Sequence, residues 1–214
     1  PGFPLNFEST LGDKIALWGN SGSTYGFGIQ SSLLQIHADQ SSSDIAFGYG
    51  SSGSFTENMR IKGSGNVGIG TNAPGADLHI KHAGGGGLIL ENASDGNQWR
   101  LYSASGDNNL TFYNNANAEV ADIDDVTGAF NAISDSRLKK NIQSMKPVLP
   151  LLMKLNPSYY QFNWQQQNEQ RQIGLLAQEA HKYFPELVSY SKEKDLYKMN
   201  YAGFSTVAIK AIQE

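Results

Sequence analysis

At 214 residues the chain exceeds one typical domain, and 39% apolar content is enough to support a core. It has no cysteine, so no disulfide can staple it, and no run of about 18 apolar residues, so no helix of membrane-spanning length is expected. Its formal charge of −4 conceals two unlike halves.

Of the 23 glycines, 21 precede Ser134, in a stretch where 5 Lys/Arg stand against 13 Asp/Glu, a formal −8. The 81 residues from Ser134 onward carry 11 Lys/Arg and 7 Asp/Glu, a formal +4. A break this sharp predicts a domain boundary. The opening Pro1-Gly2-Phe3-Pro4 is no signal peptide, and Ala208 to Glu214 stops inside a helical pattern. Both ends read as cuts, which predicts the C-terminal piece of a longer protein.

In chain order, residues 5 to 61 alternate apolar and polar positions in short runs: Leu5 to Phe7, Lys14 to Trp18, Tyr25 to Ile29, Leu33 to His37, Ile45 to Tyr49 and Met59 to Ile61. Turn chemistry such as Ser41-Ser42-Ser43-Asp44 separates them, so the spacing predicts an all-β module. A similar order recurs in Leu78 to Ile80, Leu88 to Leu90, Trp99 to Tyr102, Leu110 to Tyr113 and Val120 to Ile123. We therefore expect two degenerate β modules, residues 1–70 and 71–133, the first with an insertion near Asp39 to Gly53.

Several apparent motifs in this half are set aside. Gly63-Ser64-Gly65-Asn66-Val67-Gly68 fits the dinucleotide pattern GxGxxG but is followed by alternating residues and Pro74, where that site requires a helix. His37 with Asp39, and His79 with His82, are better explained as strand or turn positions than as metal ligands, so no metal is expected. No pair of carboxylates stands out as a glycosidase acid and base. The aromatic residues leave two readings open. Trp18, Tyr25 and Tyr49, with Asp39, have the composition of a sugar-binding face, while a place in the core or the trimer seam accounts for them more simply.

The stretch Ser134-Asp135-Ser136-Arg137-Leu138-Lys139-Lys140-Asn141-Ile142 opens the second half. It resembles the first motif of the endosialidase-type intramolecular chaperones, self-cleaving C-terminal domains of phage tailspikes, tail fibres and some bacterial fibre proteins. The resemblance continues through Leu155 to Trp164, Ile173 to Glu179, Phe184 to Val188 and Tyr197 to Tyr201, in order to the end of the chain. The connector Gly65 to Pro74 is similar to one common in fibre sequences. The resemblance implies that Ser134 is a nucleophile and Lys139 its base, with Asp135, Arg137 and Asn141 as supporting motif positions. It also implies a cut beside Ser134, on its amino side after Ile133.

That chemistry places a demand on the fold. Lysine accepts a proton only when neutral, and lowering its pKa from about 10.4 to about 7 or 8 requires burial or a nearby cation. Five residues of regular helix turn through about 500°, leaving Ser134 and Lys139 on different sides, so an extended segment or sharp turn at Ser134 ahead of a helix carrying Lys139 is expected.

Further on, Ser144 to Leu155 reads as a short helix, Ser158 to Trp164 as a strand with one aromatic face, and Gln165 to Gln170 as a polar loop. Ile173 to Leu176 reads as a strand, Gln178 to Phe184 as a helix stopped by Pro185, and Leu187-Val188 with Leu196 to Met199 as a strand pair. Phe204, Ala208, Ala211 and Ile212 form an apolar stripe suited to a three-helix coiled coil. His181 has no triad neighbours, and the singly spaced lysines read as solvated surface, so no nucleic-acid partner is expected.

The expected fold is mainly β with a C-terminal α+β domain: an intertwined homotrimeric fibre of small β modules, then an α/β chaperone over residues 134–214 ending in a coiled-coil helix. The expected function is the C-terminal region of a trimeric phage tail fibre or bacterial surface adhesin, at the virion or cell surface, whose chaperone folds in the producing cell's cytoplasm. The chaperone drives trimerisation and releases itself by single-turnover serine autoproteolysis, with no cofactor. The alternative is a non-enzymatic adhesive tip that keeps its chaperone and binds a cell-surface glycan.

Overall fold

The computed structural model describes residues 5–20, 22–84, 86–103, 106 and 108–214; the chain start at residues 1–4 lies outside the described residues. The protein is mainly β, 39% strand and 13% helix, as the alternating patterns predict. It divides into two compact units, Pro1–Asp135 and Ser136–Glu214.

The first unit is built from single-layer sheets. Strands β1 (Gly12–Asn20), β2 (Ser23–Gln30) and β3 (Leu33–His37) form an antiparallel meander. A four-stranded sheet follows, from β4 (Ile45–Ser51), β5 (Ser54–Ile61), β6 (Val67–Ile69) and β7 (Leu78–Ile80). The third has five strands, β8 (Leu88–Glu91), β9 (Gln98–Ser103), β10 (Leu110–Tyr113), β11 (Glu119–Ile123) and β12 (Phe130–Ala132). The Gly65 to Pro74 connector contains β6, which pairs antiparallel with β5 and parallel with β7, so hydrogen bonding crosses residue 70. Glycine-dependent bulges bend the first two sheets. A Cβ at Gly26 would strike the carbonyl oxygen of Ile15, and one at Gly48 that of Thr56.

Residues paired across a ladder share a face, and each sheet separates its side chains accordingly. In the first, Ile15, Phe27 and Ile36 form one row, while Asp13, Gly28 and Gln35 form a row on the other face. In the second, Ile45, Ile61, Val67 and Leu78 make one row and Phe47, Met59, Ile69 and Ile80 the next, on the same face. Arg60 points to the opposite face, where it bonds Asp44 and Glu57. In the third, Leu88, Leu101, Phe112, Ala121 and Ala132 lie in line, with Arg100 and Tyr113 on the reverse.

The apolar faces of the first unit are largely bare. Phe27, Ile36, Phe47, Ile69, Trp99 and Phe130 are all exposed, and Ala121 is its buried apolar residue among those described. Among the described residues, the apolar content of this half therefore forms no enclosed core within one chain.

The second unit does have a core, of Val148, Leu155, Ala180, Phe184, Val188, Val207 and Ala211. It is assembled from α1 (Leu149–Leu152), the hairpin β13 (Ser158–Tyr160) and β14 (Gln172–Gly174), α2 (Ala177–Tyr183), a 3-10 turn at Pro185–Leu187, the hairpin β15 (Val188–Ser191) and β16 (Leu196–Met199), and α3 (Gly203–Ile212). Three expectations need correction. The helix expected over Ser144 to Leu155 shrinks to α1, because Pro147 and Pro150 bar helical bonds ahead of it and Pro150 fits only its first turn. The strand expected through Trp164 stops at Tyr160; Phe162 and Trp164 instead stack face to face at 4.3 Å. The α3 stripe does not stand free as one surface. Phe204 packs edge-on against Phe184 and Ala211 is buried in the domain core, whereas Ile212 is 85% exposed.

Candidate functional site

The Ser134 motif sits where β12 ends. The N–H of Ile133 still donates to Val120 of β11 at 3.1 Å, so the sheet fixes the chain up to the residue before Ser134. Ser134 itself is exposed and in no regular element. A single 3-10 turn, Ser136–Leu138, carries Arg137, and the N–H of Lys139 closes it by donating to Ser136 O at 3.1 Å. Lys139 thus follows the turn rather than riding on a helix, and it is exposed in the single chain. Asn141 comes next with φ 54°, a left-handed conformation that asparagine tolerates better than most residues. The division between the two units falls between Asp135 and Ser136, inside the motif.

The residues downstream hold the second unit closed in ways the sequence motifs did not announce. The Tyr201 hydroxyl accepts from the Leu175 N–H at 3.0 Å and donates to the Leu175 carbonyl at 3.2 Å, joining residues 26 apart. Glu214 accepts from the N–H groups of Val148 (2.8 Å) and Leu149 (3.2 Å), tying the end of α3 to the start of α1. Desolvation opposes its charge, but these two donors and Lys210 prevail and hold its carboxyl below the ordinary glutamate range. Only the landmark Tyr197 to Tyr201 signalled Tyr201, and nothing in the sequence signalled Glu214.

The ligand candidates of the first unit come together in part. Trp18 is 70% exposed and meets Tyr25 edge-on at 5.8 Å. With Gly19, Asn20, Ser23 and Asp39 it lines an open cleft of about 560 Å³. The Tyr25 hydroxyl donates to Ser43 Oγ at 2.9 Å. The Ser43 hydroxyl, with a smaller contribution from Tyr25, holds the Asp39 carboxyl below its ordinary range against partial desolvation. Tyr49 lies on β4 in the next sheet and does not line this cleft.

On the polar face of the third sheet, Arg100 lies over the rings of Tyr113 (4.6 Å) and Tyr102 (5.4 Å). The two hydroxyls meet at 3.0 Å; this bond to Tyr102, desolvation and the Glu119 carboxylate push the Tyr113 phenol up to about 12. Such a phenol stays protonated at neutral pH and serves as a structural donor. Among the described residues no group of three or more His, Cys, Asp or Glu is placed to hold a metal ion, and no helix is long and apolar enough to cross a membrane.

Residues 134–189 match the model of the family described as the chaperone of endosialidase, beginning at the serine that the motif places first. Comparison with curated proteins and with solved structures gives no match. Over residues 134–189, therefore, the chain is similar to a chaperone domain of the endosialidase type.

Proposed function

We propose that the chain is the C-terminal region of a homotrimeric fibre protein, of a phage tail or a bacterial surface, whose chaperone domain aligns three copies and then releases itself. One observation carries this reading. The single chain exposes 16516 Å², whereas one compact body of its mass exposes about 9,700 Å² and two separate bodies of the observed sizes about 11,600 Å². The excess of about 5,000 Å² per chain is on the scale of an obligate interface. It coincides with the bare apolar sheet faces of the first unit. Three docked chains could also meet through the exposed Ile209 and Ile212 of α3, which would give the expected coiled coil.

The cleavage reading rests on the motif and its surroundings. In this mechanism Lys139, neutral once desolvated by neighbouring copies, takes the proton of the Ser134 hydroxyl. The Ser134 Oγ, one residue beyond the Ile133 carbonyl, attacks that carbon through a five-membered ring. The C–N bond breaks, its nitrogen takes the proton back, and the resulting ester is hydrolysed by water, leaving Ser134 as a new N-terminus. Dependence on assembly would make the cut a report of correct trimerisation, and loss of the folding aid would leave the fibre kinetically trapped. Long-range pairing between chains is slow and aggregation-prone, which gives a removable chaperone its use.

The test is an intact mass and a denaturing gel on freshly expressed protein beside Ser134→Ala and Lys139→Ala. The expected result is two fragments from the parent, the smaller about 9 kDa by residue count and beginning at Ser134, and an uncut chain from both variants. An uncut trimeric parent would refute autoproteolysis.

A second reading, a glycan-binding tip with the chaperone retained, is favoured by the cleft in which exposed Trp18 stands beside Asn20, Ser23 and Asp39. An aromatic plate flanked by hydrogen-bonding groups suits a sugar ring. Quenching or enhancement of Trp18 fluorescence by oligosaccharides, lost in Asp39→Ala, would support it; no response across a glycan panel would remove it.

A further inference from the structure

Resting on the homotrimer reading, we infer that the copies meet through one particular face of each sheet of the first unit, the face bearing Ile36 in the first, Ile69 in the second and Leu90 in the third. The Asp13, Arg60 and Arg100 faces form the outer surface of the assembled fibre.

The argument begins with the contrast between faces. The outward sets already make their polar contacts within one chain. Thr24 Oγ1 donates to Asp13, Arg60 spans Asp44 and Glu57, and Arg100 lies over two tyrosine rings. Thr111, on the same side of the third sheet, is fully buried. The opposite faces carry aligned apolar rows with nothing over much of their area, the reverse of what water permits in a finished structure. A sheet with one apolar face has to pack that face against another layer.

The same asymmetry recurs on three successive sheets, and this selects the occupant. A copy of the chain in register presents a matching apolar row to every sheet at once. A partner of another kind would have to be matched separately along all three. Charge points the same way. The first 133 residues carry a formal −8, and facing the polar sides together would concentrate three such sets of like charge. The apolar rows contain no charged residue.

Adjacent positions on β8 give a clean test, because the chain has no cysteine of its own. Leu90 pairs with Trp99 and Ile89 with Arg100, so they occupy opposite faces, yet in the single chain they are exposed to similar degrees, 58% and 51%. Leu90→Cys and Ile89→Cys should react alike with a polar thiol reagent in an isolated chain. In the assembled protein the Leu90→Cys thiol should react more slowly than the Ile89→Cys thiol by on the order of a hundredfold, limited by local opening. Ile36→Cys against Gln35→Cys on β3 repeats the comparison should either β8 variant fail to assemble. Light scattering on each sample separates the two levels. A trimer whose paired thiols react equally, or in reversed order, overturns the face assignment alone. A monomeric parent overturns the homotrimer reading and the face assignment with it.

Discussion

Phe130 gives the most direct quantitative test of inter-chain burial. It lies on β12 opposite Ile123, three residues before Ile133, and meets Phe112 edge-on at 6.3 Å, but it remains 67% exposed in the single chain. A buried phenylalanine removes about 200 Å² from water, so about 130 Å² remains for another copy to cover. At about 25 cal/mol per Å² that is roughly 3 kcal/mol per chain. Alanine keeps the Cβ, so Phe130→Ala should forfeit about 2 kcal/mol per chain and roughly 6 kcal/mol per trimer. At 1.4 kcal/mol per decade, the dissociation equilibrium shifts by about four orders of magnitude. The neighbouring Asn131→Ala is the control, since Asn131 Nδ2 donates to Asp122 on the other face at 2.9 Å. The assay is the temperature at which the trimer gives way to monomer on a semi-native gel, with light scattering after dilution. If Phe130→Ala matches the parent, or loses no more than Asn131→Ala, then this face is not buried between copies.

Three further outcomes concern the chaperone unit. Phe184 is buried against Phe204, and Phe184→Ala should cost about 3 to 5 kcal/mol, enough to bring the near-UV signal of this unit close to its unfolded value in mild urea. Tyr201→Phe deprives both backbone groups of Leu175 of their partner; because Tyr201 is half-exposed, water replaces it and the cost is about 1 kcal/mol, read as faster hydrogen exchange at the Leu175 amide. Glu214 has its carboxyl held below the ordinary value of 4.5, so its contribution is present above that value and fades as pH falls through the lower folded one. Glu214→Gln should flatten the acid limb of the melting temperature below about pH 4.5, and an unchanged slope would mean that the clamp on α1 carries no charge-dependent stability.

Alternation in the sequence located most strands of the first unit. Leu33 to His37 appears as read, and the runs at Lys14, Tyr25 and Ile45 lie inside β1, β2 and β4. The period of two is a local property, imposed by the pleat on any half-covered strand. The Ser134 motif was equally legible, because its nine residues are contiguous. Leu5 to Phe7 has the same pattern but forms no strand, while Val67 to Ile69, read as connector, does. Strand formation depends on finding a neighbouring edge, and a short run does not record that.

Tertiary structure alone decided the pairing of β6 with β7, the reach of Tyr201 to Leu175 and of Glu214 to α1, and which apolar positions are left bare. These depend on register and on approaches between residues up to 66 apart, which local composition does not encode. The α3 stripe shows the difference most plainly. Periodicity marked Phe204, Ala211 and Ile212 as one apolar set, yet the fold spends Phe204 and Ala211 on its own core and leaves Ile212 in water. An amphipathic pattern states that a face must be covered; which surface covers it depends on which neighbours lie within van der Waals reach once the chain has packed.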